Sequence, residues 1–345
     1  MSSRVNNLAI LAAAGSRKTE YVVEQALSVT DGRVLITTYT NENQRHILSR
    51  IEQKVGVVPP HIVVMGWFSF LIQHCAKPYQ SSLSDTIING LNFTGRRNRF
   101  TKKSDPGYFL DLNGDMYRDG VSDFVVTLNE KTKGAMVARL EKVFRYIFID
   151  EVQDLVGYDL DVLDLLLLSG IKIVFVGDPR QHTFSTNCGP KNKKYRGAGL
   201  AEWFAERRDI CTLEPRNYNY RSNQAICDFA DAIYPHLPAT RSVDVQPTAH
   251  DGIFHISATE VPSYIAAQGP VTVLRHDKNA NTGGLPAKNI GVAKGSTFDR
   301  VLIFPTKPML RYLEDRDHSK LKAPERLYVA VTRARYSVAF VVPNP

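Results

Sequence analysis

An apolar run at Leu8–Leu11 leads into Ala12-Ala13-Ala14-Gly15-Ser16-Arg17-Lys18-Thr19, and a stretch of helical periodicity follows. Strand, tight turn, then helix is the order that a phosphate-binding loop requires. Backbone N–H groups of Ala14, Gly15, Ser16 and Arg17 would cradle the phosphates, Lys18 would reach the β and γ oxygens, and the Thr19 hydroxyl would ligate Mg²⁺. Arg17 stands where such a loop ordinarily has glycine, which lets backbone approach a ligand closely. Taken alone, the segment also fits an ordinary strand-to-helix turn.

A second apolar run, Tyr146-Ile147-Phe148-Ile149, delivers Asp150 and Glu151 at its end. Carboxylates at the C-terminal edge of a parallel sheet lie where open α/β sheets place their ligands. There Asp150 would hold Mg²⁺ through water, and Glu151 would orient and deprotonate an attacking water. A lone Asp-Glu pair is also common as an acidic turn, so its neighbours decide its meaning.

The elements that must position these residues form a parallel α/β pattern. Short runs at Leu8–Ala12, Val34–Thr37, Ile62–Val64, Tyr146–Ile149 and Ile171–Val176 alternate with amphipathic segments of helical length. Between Ala76 and Met136 the pattern gives way to polar sequence with a basic cluster of Arg96, Arg97, Arg99, Lys102 and Lys103. A second α/β block starts near Thr212 and has strand-like runs at Val271–Leu274, Val301–Phe304 and Ser337–Val342. The expected organisation is a first domain of residues 1–75 and 137–211, a small insertion domain at 76–136, and a second domain at 212–345.

Composition sets outer bounds. A chain of 345 residues suits two to three domains, and 43% hydrophobic with 23% charged residues fits a folded globular protein rather than a disordered one. The formal charge of +8, with a pI near 9.2, favours a polyanionic partner such as nucleic acid. Cys75, Cys188, Cys211 and Cys227 show no paired spacing, which argues against a structural zinc. Leu8–Ala14 is too short for a secretory segment, and Asp161 and Asp164 interrupt the leucine-rich Leu160–Leu168. The expectation is a cytoplasmic protein without a membrane partner.

The acidic pair belongs to Asp150-Glu151-Val152-Gln153-Asp154. It is followed in order by Gly177-Asp178-Pro179-Arg180-Gln181, Asn219-Tyr220-Arg221-Ser222, Lys294-Gly295-Ser296-Thr297-Phe298-Asp299 and Leu327-Tyr328-Val329-Ala330-Val331-Thr332-Arg333-Ala334. With the phosphate loop, this ordered set resembles that of the UvrD/Rep-type superfamily 1 helicases. The resemblance spans almost the whole chain except Ala76–Met136. It implies an α/β fold of two RecA-like P-loop domains with parallel sheets, closing on ATP and Mg²⁺.

By that resemblance, Lys18 and Thr19 bind phosphates and Mg²⁺, Asp150 and Glu151 complete metal binding and water activation, and Gln181 senses the γ-phosphate. Tyr220 would stack on adenine, and Gly295 would lie at the nucleotide. Arg221 and Arg333, from the second domain, would act as arginine fingers that stabilise charge developing in phosphoryl transfer. A P-loop kinase would give these two arginines no role. For nucleic acid, Thr38, Tyr39, Thr40 and Asn41, with Trp67 and Phe68, resemble family segments that touch a single strand through hydroxyls and aromatic rings. Trp67, Phe68 and Phe70 serve equally well as core residues. Tyr195, before Arg196-Gly197-Ala198 and after an inserted lysine-bearing loop, is the first candidate for a base-stacking aromatic, with Phe184 second.

The sequence departs from the family pattern in several places. Met1–Asn7 holds no adenine-reading glutamine, Ala13 and Arg17 replace glycines, and Thr297 stands where a glutamate is usual. Base selectivity is therefore expected to be relaxed. The interval from Ser222 to Lys294 is too short for the accessory domain of UvrD/Rep proteins, and no fused nuclease is expected after Arg335. The leading expectation is an ATP-hydrolysing translocase or helicase on single-stranded DNA, 3′ to 5′, with RNA also open as a track. The alternative is a helicase-like ATP-binding regulatory subunit of a partner nuclease, as in antiphage defence.

Overall fold

The computed structural model describes residues 6–98, 100–243 and 245–343. Arg99 of the basic cluster, and residues 1–5 of the segment without a glutamine, lie outside them. The chain divides into two compact units. The first comprises the described residues within Met1–Leu11, Lys18–Pro179 and Phe184–Glu214. The second comprises those within Ala12–Arg17, Arg180–Thr183 and Pro215–Pro345.

The strands of the first sheet are β1 (Asn7–Ala12), β2 (Val34–Thr38), β3 (Ile62–Gly66), β6 (Tyr146–Asp150), β7 (Lys172–Gly177) and β8 (Cys211–Arg216), in the order β3-β2-β6-β7-β1-β8. Its residues are β-branched or apolar almost throughout, as strands covered on both faces must be. Parallel registers align Thr38 with Gly66, Thr37 with Ile149, Asp150 with Val176 and Leu11 with Gly177. That alignment brings the ends of β2, β3, β6 and β7, each followed by a motif segment, to one edge of the sheet. The helices of the first unit are α1 (Lys18–Leu27), α2 (Asn41–Val55), α3 (Trp67–Phe70), α4 (Val121–Lys131), α5 (Ala135–Val143), α6 (Tyr158–Leu167) and α7 (Leu200–Ala205).

The α/β class with parallel sheets is as the sequence led us to expect, and two details differ. The stretch 76–136 is not polar throughout. It contains a small parallel pair, β4 (Leu91–Asn92) with β5 (Met116–Tyr117), and then α4, whose Val121, Phe124, Val125 and Leu128 are wholly buried in the unit's main core. Their i, i+3, i+4, i+7 spacing forms one apolar helical face. Strand β8 spans the point near Thr212 where the second block is expected to start, yet its place in the sheet is beside β1.

The second unit carries β9 (Tyr218–Asn219) paired with β10 (Arg241–Ser242), and a five-stranded parallel sheet. Its strands are β11 (Gly252–Ser257), β12 (Thr272–Arg275), β13 (Lys288–Asn289), β14 (Phe298–Phe304) and β15 (Ala334–Val342), in the order β11-β15-β14-β12-β13. Helices α8 (Gln224–Asp231), α9 (Val261–Gln268), α10 (Lys307–Asp315) and α11 (Pro324–Val331) accompany it. The core joins Ile226, Phe229, Tyr312, Tyr328 and Phe340 to the sheet residues Val301, Ile303 and Val338. Among the described residues, no helix is long and apolar enough to cross a membrane.

Candidate nucleotide site and strand-binding surface

In the first unit, α1 begins at Lys18, so Thr19 lies in its first turn, and its hydroxyl donates to Asp150 Oδ2 at 3.1 Å. Asp150 is 4% exposed at the end of β6. Burial, and then the neighbouring Glu151 carboxylate, push its carboxyl up to about 7. A hydroxyl and a carboxylate side by side are the oxygen donors Mg²⁺ takes. A carboxyl held up by burial and a like charge is returned to its anionic form by an adjacent cation. The pair Thr19 and Asp150 therefore fits a divalent ion.

Glu151 occupies the left-handed region, with φ 58°. A non-glycine residue held there is strained and needs surrounding contacts to keep it. Gln153 supplies them: its amide nitrogen donates to Glu151 Oε2, and its Oε1 accepts from the Asp178 N–H at 3.0 Å. A Cβ on Gly177 would come within 2.5 Å of Gln153 Oε1, so glycine at this position gives the amide its room. The sequence offers Gln153 only as a letter of a motif; its role as the clamp on Glu151 comes from the fold.

In the second unit, the loop Ala12–Arg17 packs on the segment around Tyr220. The Tyr220 N–H donates to Gly15 O at 2.9 Å, and the Ala14 N–H donates to the Tyr328 hydroxyl at 3.1 Å. Gly15 has φ 74°, and a Cβ there would fall 2.2 Å from Asn219 Oδ1, so this glycine is required both by its conformation and by the close approach. Asn219 Oδ1 accepts from the Arg221 and Ser222 N–H groups at 2.7 and 2.9 Å. Asn219 and Tyr328 are thus structural members of the site whose tasks the sequence does not reveal.

Arg221 Nη1 donates to Thr332 O at 3.0 Å. Arg333, 2% exposed, donates to Val329 O at 3.1 Å, Ser296 O at 3.4 Å and Gln181 Oε1 at 3.2 Å. Gly295, with φ 88°, forms the turn that presents the Ser296 carbonyl. The structure therefore brings Gln181 and Arg333 into direct contact, with Gly295 one residue from a third partner. Arg180 anchors the short segment that carries Gln181, donating to Pro238 O at 2.6 Å.

The nucleic-acid candidates divide. Tyr39 and Thr40 are half-buried and Asn41 is exposed at the start of α2, where the Thr40 hydroxyl caps the helix by accepting from the Asn43 N–H at 3.2 Å. Tyr39 lies 6.2 Å from Phe184, which is 38% exposed. Phe93, which no sequence motif singles out, is 57% exposed and edge-on to Phe68 at 6.0 Å. A cavity of about 310 Å³ opens among Tyr39, Asn41, Gln44, Phe68, Ser69 and Phe93.

Four candidates are buried or engaged in contacts of their own. Thr38 is 1% exposed inside the sheet, so its hydroxyl does not face a strand. Phe68 is 6% exposed and serves as a wall of the cavity rather than a free stacking face. Trp67 is 1% exposed and donates from Nε1 to Asp159 Oδ1 at 2.7 Å. Tyr195 has its hydroxyl on Glu206 and Lys194 Nζ 4.4 Å over its ring. The basic cluster is partly committed as well: Lys103 is paired with Asp123 at 2.6 Å, and Arg97 stacks on Tyr108 at 4.0 Å.

Asp159 explains why Trp67 is fixed. It is 1% exposed, burial pushes its carboxyl above the ordinary range, and it accepts from Trp67, Ser122, Thr186 and the Val156 N–H, so a carboxyl buried at that depth is held by donors from four segments. Replacing Trp67 with alanine should lower stability by about 3–5 kcal/mol through the cavity left, with a further loss at Asp159. Single-strand binding measured below the melting temperature should be unchanged. Weakened binding by a variant that melts like the wild type would return Trp67 to the interface.

Residues 113–342, more than half of the chain, match the family model of the viral superfamily 1 RNA helicase core domain. The protein belongs to that family. The match takes in Asp150, Glu151, Gln181, Tyr220, Arg221 and Arg333, and begins after the phosphate loop. No curated protein matches the sequence. Similar solved structures include an Arterivirus nonstructural protein 10 (helicase) in complex with DNA, at TM-score 0.51 and 15% identity, covering 98% of this chain and 61% of that one. The same Arterivirus helicase alone gives TM-score 0.49 at 16% identity, with 97% and 59% covered. The PRRSV helicase gives 0.47 at 18%, with 98% and 52% covered. This chain therefore spans about three-fifths or less of those proteins.

Proposed function

We propose that the protein is a nucleoside-triphosphate-driven motor that moves along single-stranded nucleic acid. The observation that carries this reading is the nucleotide chemistry assembled at one sheet edge: Thr19 bonded to a buried Asp150 whose carboxyl is held near 7, with Glu151 clamped beside it. Bound there, Mg²⁺ would offset phosphate charge, while Glu151 orients and deprotonates water and Lys18 grips phosphate oxygens. By the resemblance of the motifs, Tyr220 is the candidate platform for the base, and Gln181, Arg221 and Arg333 are the candidate readers of the γ-phosphate.

Membership of the viral superfamily 1 group and the DNA in the Arterivirus complex support a nucleic-acid track, with half-buried Tyr39 and exposed Asn41, Phe93 and Phe184 as its contacts. ATP as the nucleotide, DNA as the track and 3′ to 5′ polarity rest on the UvrD/Rep-type resemblance of the motifs, as does a partner nuclease. The family description names RNA, so both tracks belong in the test. Hydrolysis of ATP by the purified protein should rise at least about tenfold with single-stranded DNA or RNA, and the effect should weaken with salt as phosphate contacts are screened. Turnover indifferent to either polymer, but changed by a co-purifying protein, would replace the motor with the regulatory subunit.

A further inference from the structure

Asp159, in the first turn of α6, divides its two carboxyl oxygens between different neighbours. Oδ1 accepts from Trp67 Nε1 at 2.7 Å and from the Ser122 hydroxyl. Oδ2 accepts from the Val156 N–H at 3.1 Å and from the Thr186 hydroxyl. Four accepted bonds fill the acceptor sites of the group, and a buried carboxyl that loses a donor carries a desolvation cost with nothing to offset it. A shift in one of these four segments must therefore be met by the others.

The two oxygens lead to two different parts of the first unit. On the Oδ1 side, Trp67 precedes Phe68, a wall of the cavity beside Tyr39 and Phe93, and Ser122 lies on α4. On the Oδ2 side, the Thr186 N–H donates to Asp154 O at 3.1 Å and the Asp154 N–H donates to Glu151 O at 3.0 Å, while the Val156 N–H is shared with the Thr186 hydroxyl at 3.1 Å. Thr186 also stands two residues after Phe184, the exposed ring next to Tyr39. Glu151 holds a left-handed backbone that its surroundings must maintain, so its aim follows the turn Val152–Asp154. We propose that Asp159 is a positioning residue that couples the strand-binding surface to Glu151: a strand pressing on Phe68 and Phe184 moves Trp67 and Thr186, and the carboxyl transmits that movement to the turn that aims Glu151. The proposal rests on the motor reading above and adds to it the residue through which the strand regulates hydrolysis.

The test uses Ser122→Ala and Thr186→Val, which remove one hydroxyl each from opposite oxygens of Asp159, together with their combination and Asp159→Asn, all in the purified full chain. ATP hydrolysis with and without saturating single-stranded DNA or RNA is measured beside nucleotide-free strand affinity and melting curves. Thr186→Val and Asp159→Asn should cut the stimulation by strand from about tenfold to about twofold, with strand-free kcat and strand Kd within about threefold of wild type. Ser122→Ala should lower the stimulation about threefold, and adding it to Thr186→Val should lower it no further, because both act through one carboxyl. A structural role alone moves the melting temperature and leaves the stimulation ratio where it was. Full stimulation in folded Thr186→Val would overturn the proposal, as would losses from Ser122→Ala and Thr186→Val that multiply independently, or strand-free hydrolysis that falls as far as the stimulated rate. Should Asp159→Asn fail to fold, the two hydroxyl variants decide. A wild-type rate indifferent to both polymers would overturn the motor reading itself, and this proposal with it.

Discussion

Glu151→Gln is expected to reduce kcat for nucleotide hydrolysis by about 10³-fold or more while leaving nucleotide affinity within a few fold. Glutamine keeps the shape and the hydrogen-bond reach of the side chain and gives up only the carboxylate that accepts a proton from water. The left-handed backbone at residue 151 and the Gln153 amide beneath it are both retained, so the variant should fold as the wild type does. The Mg²⁺ pair of Thr19 and Asp150 is untouched. The variant should therefore retain nucleotide through a desalting column. Lys18→Ala differs in kind, because it deletes a phosphate contact and should lose affinity and turnover together. Single-turnover hydrolysis beside equilibrium binding separates the two. Normal hydrolysis by Glu151→Gln would remove Glu151 from the chemistry.

The difference between those two variants can be anticipated from the sequence, because it depends on residues adjacent along the chain. Lys18 and Thr19 follow a strand, and Asp150 and Glu151 end one. Period-two and apolar runs locate strands well enough to put both at the same kind of edge. What the sequence withholds is contact between distant segments. Ala14 and Tyr328 meet across 314 positions, and Arg333 and Gln181 across 152, with no local pattern to announce either. Trp67 shows the same limit. An aromatic after a strand end serves a nucleic-acid surface or a core equally well, and only the buried Asp159 beneath it decides. Helix α4 is legible in principle, since Val121, Phe124, Val125 and Leu128 keep helical spacing, but the polar sequence before it masks the change of pattern. Strand β11, Gly252–Ser257, escapes a reading of apolar runs because it is short and carries His255 among its apolar residues.

Arg333→Ala is expected to cost about 10³-fold in kcat, the scale on which arginines that stabilise transferring phosphoryl charge act. The second unit holds the phosphate loop Ala12–Arg17, Gln181 and Arg333 together, and Arg333 reaches Gln181 Oε1 at 3.2 Å. Its guanidinium is oriented by the Val329 and Ser296 carbonyls and keeps its charge at any accessible pH. A permanent cation fixed in that way costs no reorganisation when negative charge develops nearby, and this preorganisation is the source of the rate effect. Arg333→Lys retains the charge but not the planar fork, so it cannot span three acceptors and should recover little of the loss. Because the side chain is almost fully buried, alanine also leaves a cavity and unpaired carbonyls, and a fall in melting temperature is expected for that variant. The lysine variant is therefore the informative one. A loss of about 10²-fold or more in kcat by Arg333→Lys, with nucleotide-free strand binding and melting close to wild type, identifies a transition-state contact. Full activity in a folded Arg333→Lys variant, or loss of strand binding in step with stability, would make Arg333 a structural residue that braces Gln181 and the turn at Gly295.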